Sequence, residues 1–215
     1  MTFRRRIIVA MVPLFALLVA LGGTGTVLIY HLGNRIDEIL RENYDSVIYM
    51  RDLNEALERI DSSFQFALAG REKESYKQHE DNWKLYDAAL SKEQHNITLP
   101  QEGELADNLA TLSIQYRHQG EEFFKSAGQQ RNKLYFGEQN SPGLYSNFRE
   151  IKAVSSEILR INQDNMEEAN RQARRLAHSS LIWYSGGLAT GIALAVFLIG
   201  GTIRTILYPI RAVTE

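Results

Sequence analysis

Seven polar side chains stand where two helical seams call for apolar ones. Asn43, Asn54 and Asp61 interrupt a run of Ile36, Leu40, Val47, Met50, Leu57, Phe64 and Leu68. Ser155, Asn162, Asn165 and Gln172 interrupt a second run of Leu144, Phe148, Ile151, Ile158, Ala169 and Leu176. A buried polar group without a partner costs about 1–3 kcal/mol, so these groups must pair with one another, with water or with a ligand. Two chemistries follow. Amides and carboxylates in a seam can fix helix register or dimer pairing at a cost in stability. They can also form a recognition site, because helical bundles build sites from side chains that face one another across the core. Asn43, Asn54, Asp61, Asn162 and Asn165 are candidates under both readings. Arg59, close to Asp61, is either a counter-charge for an anionic ligand or a residue of a solvated face.

The residue types that catalysis needs are not assembled. There is no glycine-rich phosphate loop, no metal-ligand cluster and no cysteine, and the five histidines are scattered. His79-Glu80 matches the start of a phosphoacceptor helix, but Asp81-Asn82-Trp83 does not continue it; a half-buried helix-face histidine is the simpler reading. We therefore expect this chain to carry no catalytic residue, cofactor or metal of its own. No basic stripe interleaved with aromatics points to nucleic acid. Asn96-Ile97-Thr98 fits a short glycosylation pattern, and we read it as part of a turn. Tyr44, Tyr49, Phe66, Trp83, Tyr86, Tyr116 and Phe124 are expected to be mostly core.

The elements that position these residues follow from spacing. Both seams alternate steps of four and three, the heptad period of helices packed side by side. The first should end at Gly70, a C-terminal glycine. A second helix is expected over Glu72–Gln94, with Tyr76, His79, Trp83, Tyr86 and Leu90 inward. Asn96 to Gly103 breaks the pattern. A third helix is expected from Glu104 to about Ala127, with Leu105, Leu109, Leu112, Tyr116 and Phe123 inward. Gly128–Asn140 is the least regular stretch, and Ser141-Pro142-Gly143 reads as a helix start with serine as cap. The fold class is all-α: an up-down-up-down four-helix bundle. Its first and last helices continue into apolar segments, with only Gly33 weakening the first junction.

Those segments, Ile7–Tyr30 and Leu181–Ile203, carry no charged residue, and each exceeds the ~20 residues a helix needs to cross a bilayer core. The expected organisation is a cytoplasmic N-terminus at 1–6, a first span at 7–30, an outer sensor domain at 31–180, a second span at 181–203 and a linker opening at 204–215. Arg4, Arg5, Arg6, Arg204 and Arg211 lie outside the spans with only Glu215 as an acid. Of 24 basic and 26 acidic residues, that leaves 19 and 25 in the middle. The excess of arginine marks both ends as cytoplasmic, although Arg171, Arg174 and Arg175 precede the second span on the outer side. A cleaved signal peptide is the rival reading of the first run, with Ala20-Leu21-Gly22 as its cleavage pattern; the apolar stretch continues eight residues past Gly22, against it.

After the second run, Arg204-Thr205-Ile206-Leu207-Tyr208-Pro209-Ile210-Arg211-Ala212-Val213 places a proline where a new helix would start at a fixed angle. This stretch resembles the opening of a HAMP linker, with Pro209 as the signal-relay residue. The middle segment resembles the bundle-type sensor domains of bacterial membrane-bound histidine kinases of two-component systems. Glu42-Asn43-Tyr44-Asp45-Ser46-Val47, Glu55-Ala56-Leu57-Glu58-Arg59-Ile60-Asp61-Ser62, Phe66-Ala67-Leu68-Ala69-Gly70, Asn96-Ile97-Thr98-Leu99-Pro100 and Ile158 to Met166 carry the likeness. The resemblance implies the input half of such a kinase: a homodimer in the bacterial inner membrane, sensing a small ligand or partner protein outside. It further implies a cytoplasmic kinase part that uses ATP and Mg and addresses a response regulator; no position here corresponds to a kinase catalytic residue. A chemoreceptor with the same plan, or a membrane-anchored scaffold, fits the same residues. A His-Glu-x-x-Thr-Pro helix further along would mark the kinase, and a long uninterrupted heptad coil the chemoreceptor.

Overall fold

The computed structural model describes residues 3–139 and 141–202. Among them the regular structure is α-helical: α1 (Phe3–Leu68), α2 (Glu72–Gln94), α3 (Glu102–Lys125), α4 (Gly128–Phe136) and α5 (Leu144–Thr202). The one β feature there is an isolated bridge between Glu138 and Ser141. The all-α expectation holds. The linker opening with Pro209, and the last residue of the second apolar run, lie outside the described residues.

The chain divides into two compact units, Glu38–Ala169 and the two flanking stretches Met1–Asp37 and Asn170–Glu215. In the first unit, α1 stops where the sequence says it should. Gly70 has a φ of +83°, its amide donates to the Ala67 carbonyl at 3.0 Å, and the Arg71 amide donates to Phe66 at 3.0 Å. That is a Schellman closure, which satisfies the last carbonyls and favours glycine at the left-handed position. Helix α2 matches its expected bounds. Helix α3 begins at Glu102, two residues early, because the Glu102 carboxylate turns back to accept the Thr98 and Leu99 amides.

The stretch after α3 is more ordered than its composition suggests. Helix α4 occupies nine residues and buries Arg131 and Tyr135, two anchors with no periodic pattern around them. Ser141 does not cap a helix: it exchanges backbone hydrogen bonds with Glu138, and α5 starts at Leu144. Gly137, with φ +82°, and Gly143 meet so closely that a Cβ on either would strike the other's backbone.

One hydrophobic cluster joins α1, α2, α3, α4 and α5. Every described position of the first seam from Leu40 to Leu68 is buried or half-buried, as is the second seam from Leu144 to Ala169. Gln172 and Leu176, expected to continue it, are exposed; they lie past the end of this unit. Tyr76, Tyr44 and Phe66 are likewise exposed rather than core. Edge-to-face rings dominate one half of the cluster: Phe64 meets Phe123 at 4.9 Å and Tyr116 at 5.8 Å between centroids, a favoured aromatic geometry.

In the flanking unit the apolar parts of α1 and α5 touch through glycine. A Cβ on Gly25 would lie 2.7 Å from the Tyr184 hydroxyl, and one on Gly187 would lie 2.8 Å from the Leu21 side chain. Small residues that admit a neighbour's side chain are the usual contact between helices in lipid. Pro13 lies inside α1 and forfeits a backbone hydrogen bond there. Helix α5 contains a stretch long and apolar enough to cross a membrane, and none of that stretch is buried. Met11–Val27 of α1 is a shorter apolar helix segment among the described residues.

Candidate functional site

Two buried polar layers cross the core of Glu38–Ala169; of the candidate residues, Asp61 belongs to one and Asn162 to the other. The first surrounds Asp61. Its carboxylate accepts the Gln65 amide at 2.8 Å and the Tyr135 hydroxyl at 3.1 and 3.2 Å. Gln65 also donates to the Tyr135 oxygen at 3.1 Å. Burial pushes the Asp61 carboxyl above its ordinary range despite the donors Gln65, Tyr135 and Tyr116. The Tyr116 hydroxyl has no partner at hydrogen-bonding geometry; burial, and then the Asp61 charge, hold it protonated.

Beside that layer, His79 is buried. Trp83 Nε1 donates to His79 Nε2 at 3.1 Å, so that nitrogen carries no proton. Burial, with the nearby Arg117 charge, lowers the ring to about 4. A neutral, fully buried imidazole is a packing residue, more enclosed than a half-exposed helix face. Arg117 lies 4.0 Å over the Trp83 ring and pairs with Asp87 at 2.6 Å. A cleft of ≈ 720 Å³ opens nearby between Tyr76, Phe124 and the charged residues Glu72, Lys73, Glu121 and Lys125. Arg131 at its edge is already committed, to Glu72 at 2.7 Å and the Ser126 carbonyl at 3.0 Å. With its acids and bases balanced, the cleft selects neither sign of ligand.

The second layer surrounds Glu102 and draws on α1, α2, α3 and α5. Asn162 Nδ2 donates to Glu102 Oε1 at 2.6 Å and to the Ile158 carbonyl at 2.9 Å. The other carboxylate oxygen accepts the amides of Thr98 at 2.7 Å and Leu99 at 3.0 Å. Burial alone would raise this carboxyl; the bonds from Asn162, Thr98 and Leu99, with Ser46 close by, outweigh it and hold Glu102 below its ordinary range. Asn96 bridges to α1 through the Glu42 carbonyl at 2.8 Å and the Ser46 hydroxyl at 2.9 Å. Glu93 completes the layer. It is fully buried, and neither of its carboxyl oxygens has a hydrogen-bond partner. Burial and the neighbouring Glu102 charge raise it to about 8.

The remaining candidates pair between α1 and α5. Asn165 Nδ2 donates to Asn43 Oδ1 at 3.3 Å, while Asn43 Nδ2 donates to the Ile39 carbonyl at 2.6 Å. Ser155 Oγ donates to Asn54 Oδ1 at 2.7 Å. Arg59 joins neither layer. It is exposed and pairs with Glu55 one turn away at 2.9 Å, on the rim of a small cleft of ≈ 250 Å³ between α1 and α2. Glu93, Glu102, Asn96 and Tyr135 escape the seam reading. A signal existed for the two glutamates: continuing the α2 face His79, Trp83, Tyr86, Leu90 by three residues reaches Glu93, and stepping three back from Leu105 on α3 reaches Glu102.

These arrangements can hold a helix register, bind a proton or admit a small polar ligand; Ser63 Oγ also lies 3.5 Å from His79 Nδ1 inside the core. No protein-family model, curated protein or solved structure matches the chain.

Proposed function

We propose that this chain is the stimulus-sensing input module of a membrane-bound two-component histidine kinase. In this reading Glu38–Ala169 is the core of an up-down-up-down four-helix bundle outside the bacterial inner membrane. Segments 7–30 and 181–203 are its two spans, and both termini are cytoplasmic. The module works as a homodimer. A small ligand or partner protein shifts α1 against α5 by about 1–2 Å, a known scale for interface switching. The shift passes to a HAMP linker opening at Pro209, and onward to an ATP- and Mg-dependent kinase part that addresses a response regulator.

One observation supports the membrane reading above the rest. The apolar side chains of the flanking unit face outward: Trp183 and Phe197 are each 78% exposed, and Phe15 is 70% exposed. A core helix of a soluble domain buries such groups, whereas contiguous exposed apolar surface calls for lipid or a partner. Helices α1 (Phe3–Leu68) and α5 (Leu144–Thr202) each carry residues of both the polar layers and the apolar surface, which supports a relay along the helices.

The test uses the absence of native cysteine. Single cysteines at Lys84, exposed on α2, and at Phe197 are probed in intact cells with a membrane-impermeant maleimide. Lys84→Cys should label from outside and Phe197→Cys should not. Protection of Lys84→Cys until the cells are opened would overturn the topology.

A further inference from the structure

Among the described residues, four buried side-chain atoms lack a hydrogen-bond partner: both carboxyl oxygens of Glu93, Asn162 Oδ1 and the Tyr116 hydroxyl. Three of the four gather on the Glu102 layer. All three are acceptors, and they adjoin a carboxylate that accepts from Asn162 on one oxygen and from Thr98 and Leu99 on the other, with a lone pair still open on the first. Acceptors gathered out of water need a positive charge or a donor, and an uncompensated buried charge is strongly destabilising. The side chains of Glu93, Glu102, Asn162 and Ser46 are all fully buried, so the smallest cation fits best.

We propose that the Glu93–Glu102 pair is a proton-binding site that locks α1, α2, α3 and α5 together, and that loss of its proton loosens this layer. The proton sits on a Glu93 carboxyl oxygen. It converts one orphan acceptor into a donor facing the Glu102 carboxylate, leaving the pair with a single negative charge, as two carboxyls sharing a buried site do. When the proton leaves to solvent, two charges oppose each other. Glu102 is the one whose ties would yield, and those ties reach Asn162 of α5 and the Thr98–Leu99 turn.

The groups that face the pair are neutral or acidic, and the Ser46 hydroxyl offsets only part of the charge. From α3 Glu93 faces Glu102, from α1 the neutral Ser46, and across Glu102 stands the neutral Asn162 of α5. The adjacent Lys92 on α2 turns its ammonium toward the Tyr49 ring, 5.6 Å from its centroid. This inference concerns the layer itself and does not depend on the sensing role proposed above.

The test is a carboxyl titration of the whole chain in lipid nanodiscs, labelled with 13C at the glutamate carboxyls. One resonance, missing in Glu93→Gln, should titrate near 8 and move to lower pH when Glu102→Gln removes the neighbouring charge. If Glu93→Gln does not fold, Glu93→Asp removes the same labelled resonance and gives the assignment. In a second sample labelled with 15N at asparagine, the Asn162 side-chain cross-peaks should change through the same midpoint. A Glu93 midpoint at the ordinary 4.5, or one unmoved by Glu102→Gln, would overturn the shared proton. A normal Glu93 shift with Asn162 unresponsive would overturn the lock.

Discussion

The two polar layers of Glu38–Ala169 bury the same functional group with opposite results. Asp61 and Glu102 are both withdrawn from water, yet Asp61 is pushed up and Glu102 is held down. Their donors differ. Asp61 relies on an amide and one phenol, and that phenol is shared: Tyr135 also accepts from Gln65. Glu102 receives two backbone amides and a side-chain amide, and hydrogen bonding to the charged form lowers a carboxyl's pKa. Backbone donors that would otherwise go unpaired at a helix start thus keep a buried charge ionised. Glu93, with no partner at hydrogen-bonding geometry and the Glu102 charge beside it, marks the far end of the same scale.

The aromatic half should lose most when its hub is cut. Phe64 is fully buried and meets Tyr116, Phe123, Phe124 and Tyr135. Phe64→Ala should cost about 3–5 kcal/mol in denaturant unfolding of the chain in detergent. A loss below about 1 kcal/mol would mean the ring cluster can collapse around the gap. In the polar half, Glu102→Leu strips the acceptor from Asn162, Thr98 and Leu99. Bonds to a charged group are each worth about 1.5–3 kcal/mol, but the substitution also relieves the burial of a charge, which offsets much of the three bonds lost. A net loss of about 1.5–3 kcal/mol is therefore expected, smaller than the Phe64 effect. Equal losses would erase the contrast between a packed half and a hydrogen-bonded half.

The helices that carry this contrast were legible in the residues, and so was Asp61; Glu102 and Glu93 were not. The heptad spacing located α1 and α5, and glycine chemistry located the end of α1 at Gly70. The seam polars did find partners: Asn54 with Ser155, Asn43 with Asn165, Asn162 with Glu102. Pairing itself was not legible, because a seam position tells which face a side chain takes and not which residue waits there. Helix α4 went unseen for another reason. Its stability comes from Arg131 and Tyr135 reaching distant partners, Glu72 and Asp61, and tertiary anchors leave no local period. Tyr76 and Leu176 kept the period and are nonetheless exposed; a repeat continues past the place where the core ends.

Acidity should separate the two carboxylates by sign. Glu102 is depressed in the folded state, so its contribution is present above its unfolded value of 4.5 and is lost as pH falls through the folded value. Asp61 is raised, so its contribution is complete below 3.8 and is lost as pH rises through the folded value. Unfolding free energies across pH 3–8 should therefore show Glu102→Gln converging on the native chain at low pH. Asp61→Asn should instead gain on it as pH rises. Parallel curves would mean that both carboxylates see the same environment. A smaller effect is expected at the α1–α5 contact: Ser155→Ala removes a hydroxyl shared between Asn54 and the Lys152 carbonyl, and should cost about 0.5–1.5 kcal/mol.

Arg59 gives the sharpest small effect. It stands two residues from Asp61 yet shares nothing with it: the guanidinium is exposed and pairs with Glu55. An exposed pair at this spacing contributes about 0.3–0.5 kcal/mol and is screened by salt. Arg59→Ala should therefore change stability by no more than that and should leave the Asp61 pH dependence intact. Both quantities come from the same unfolding series, repeated at low and high ionic strength. A loss above about 1 kcal/mol that persists in high salt would tie Arg59 to the interior after all. The boundary between the solvated face and the buried carboxylate would then have to be redrawn through the α1–α2 cleft.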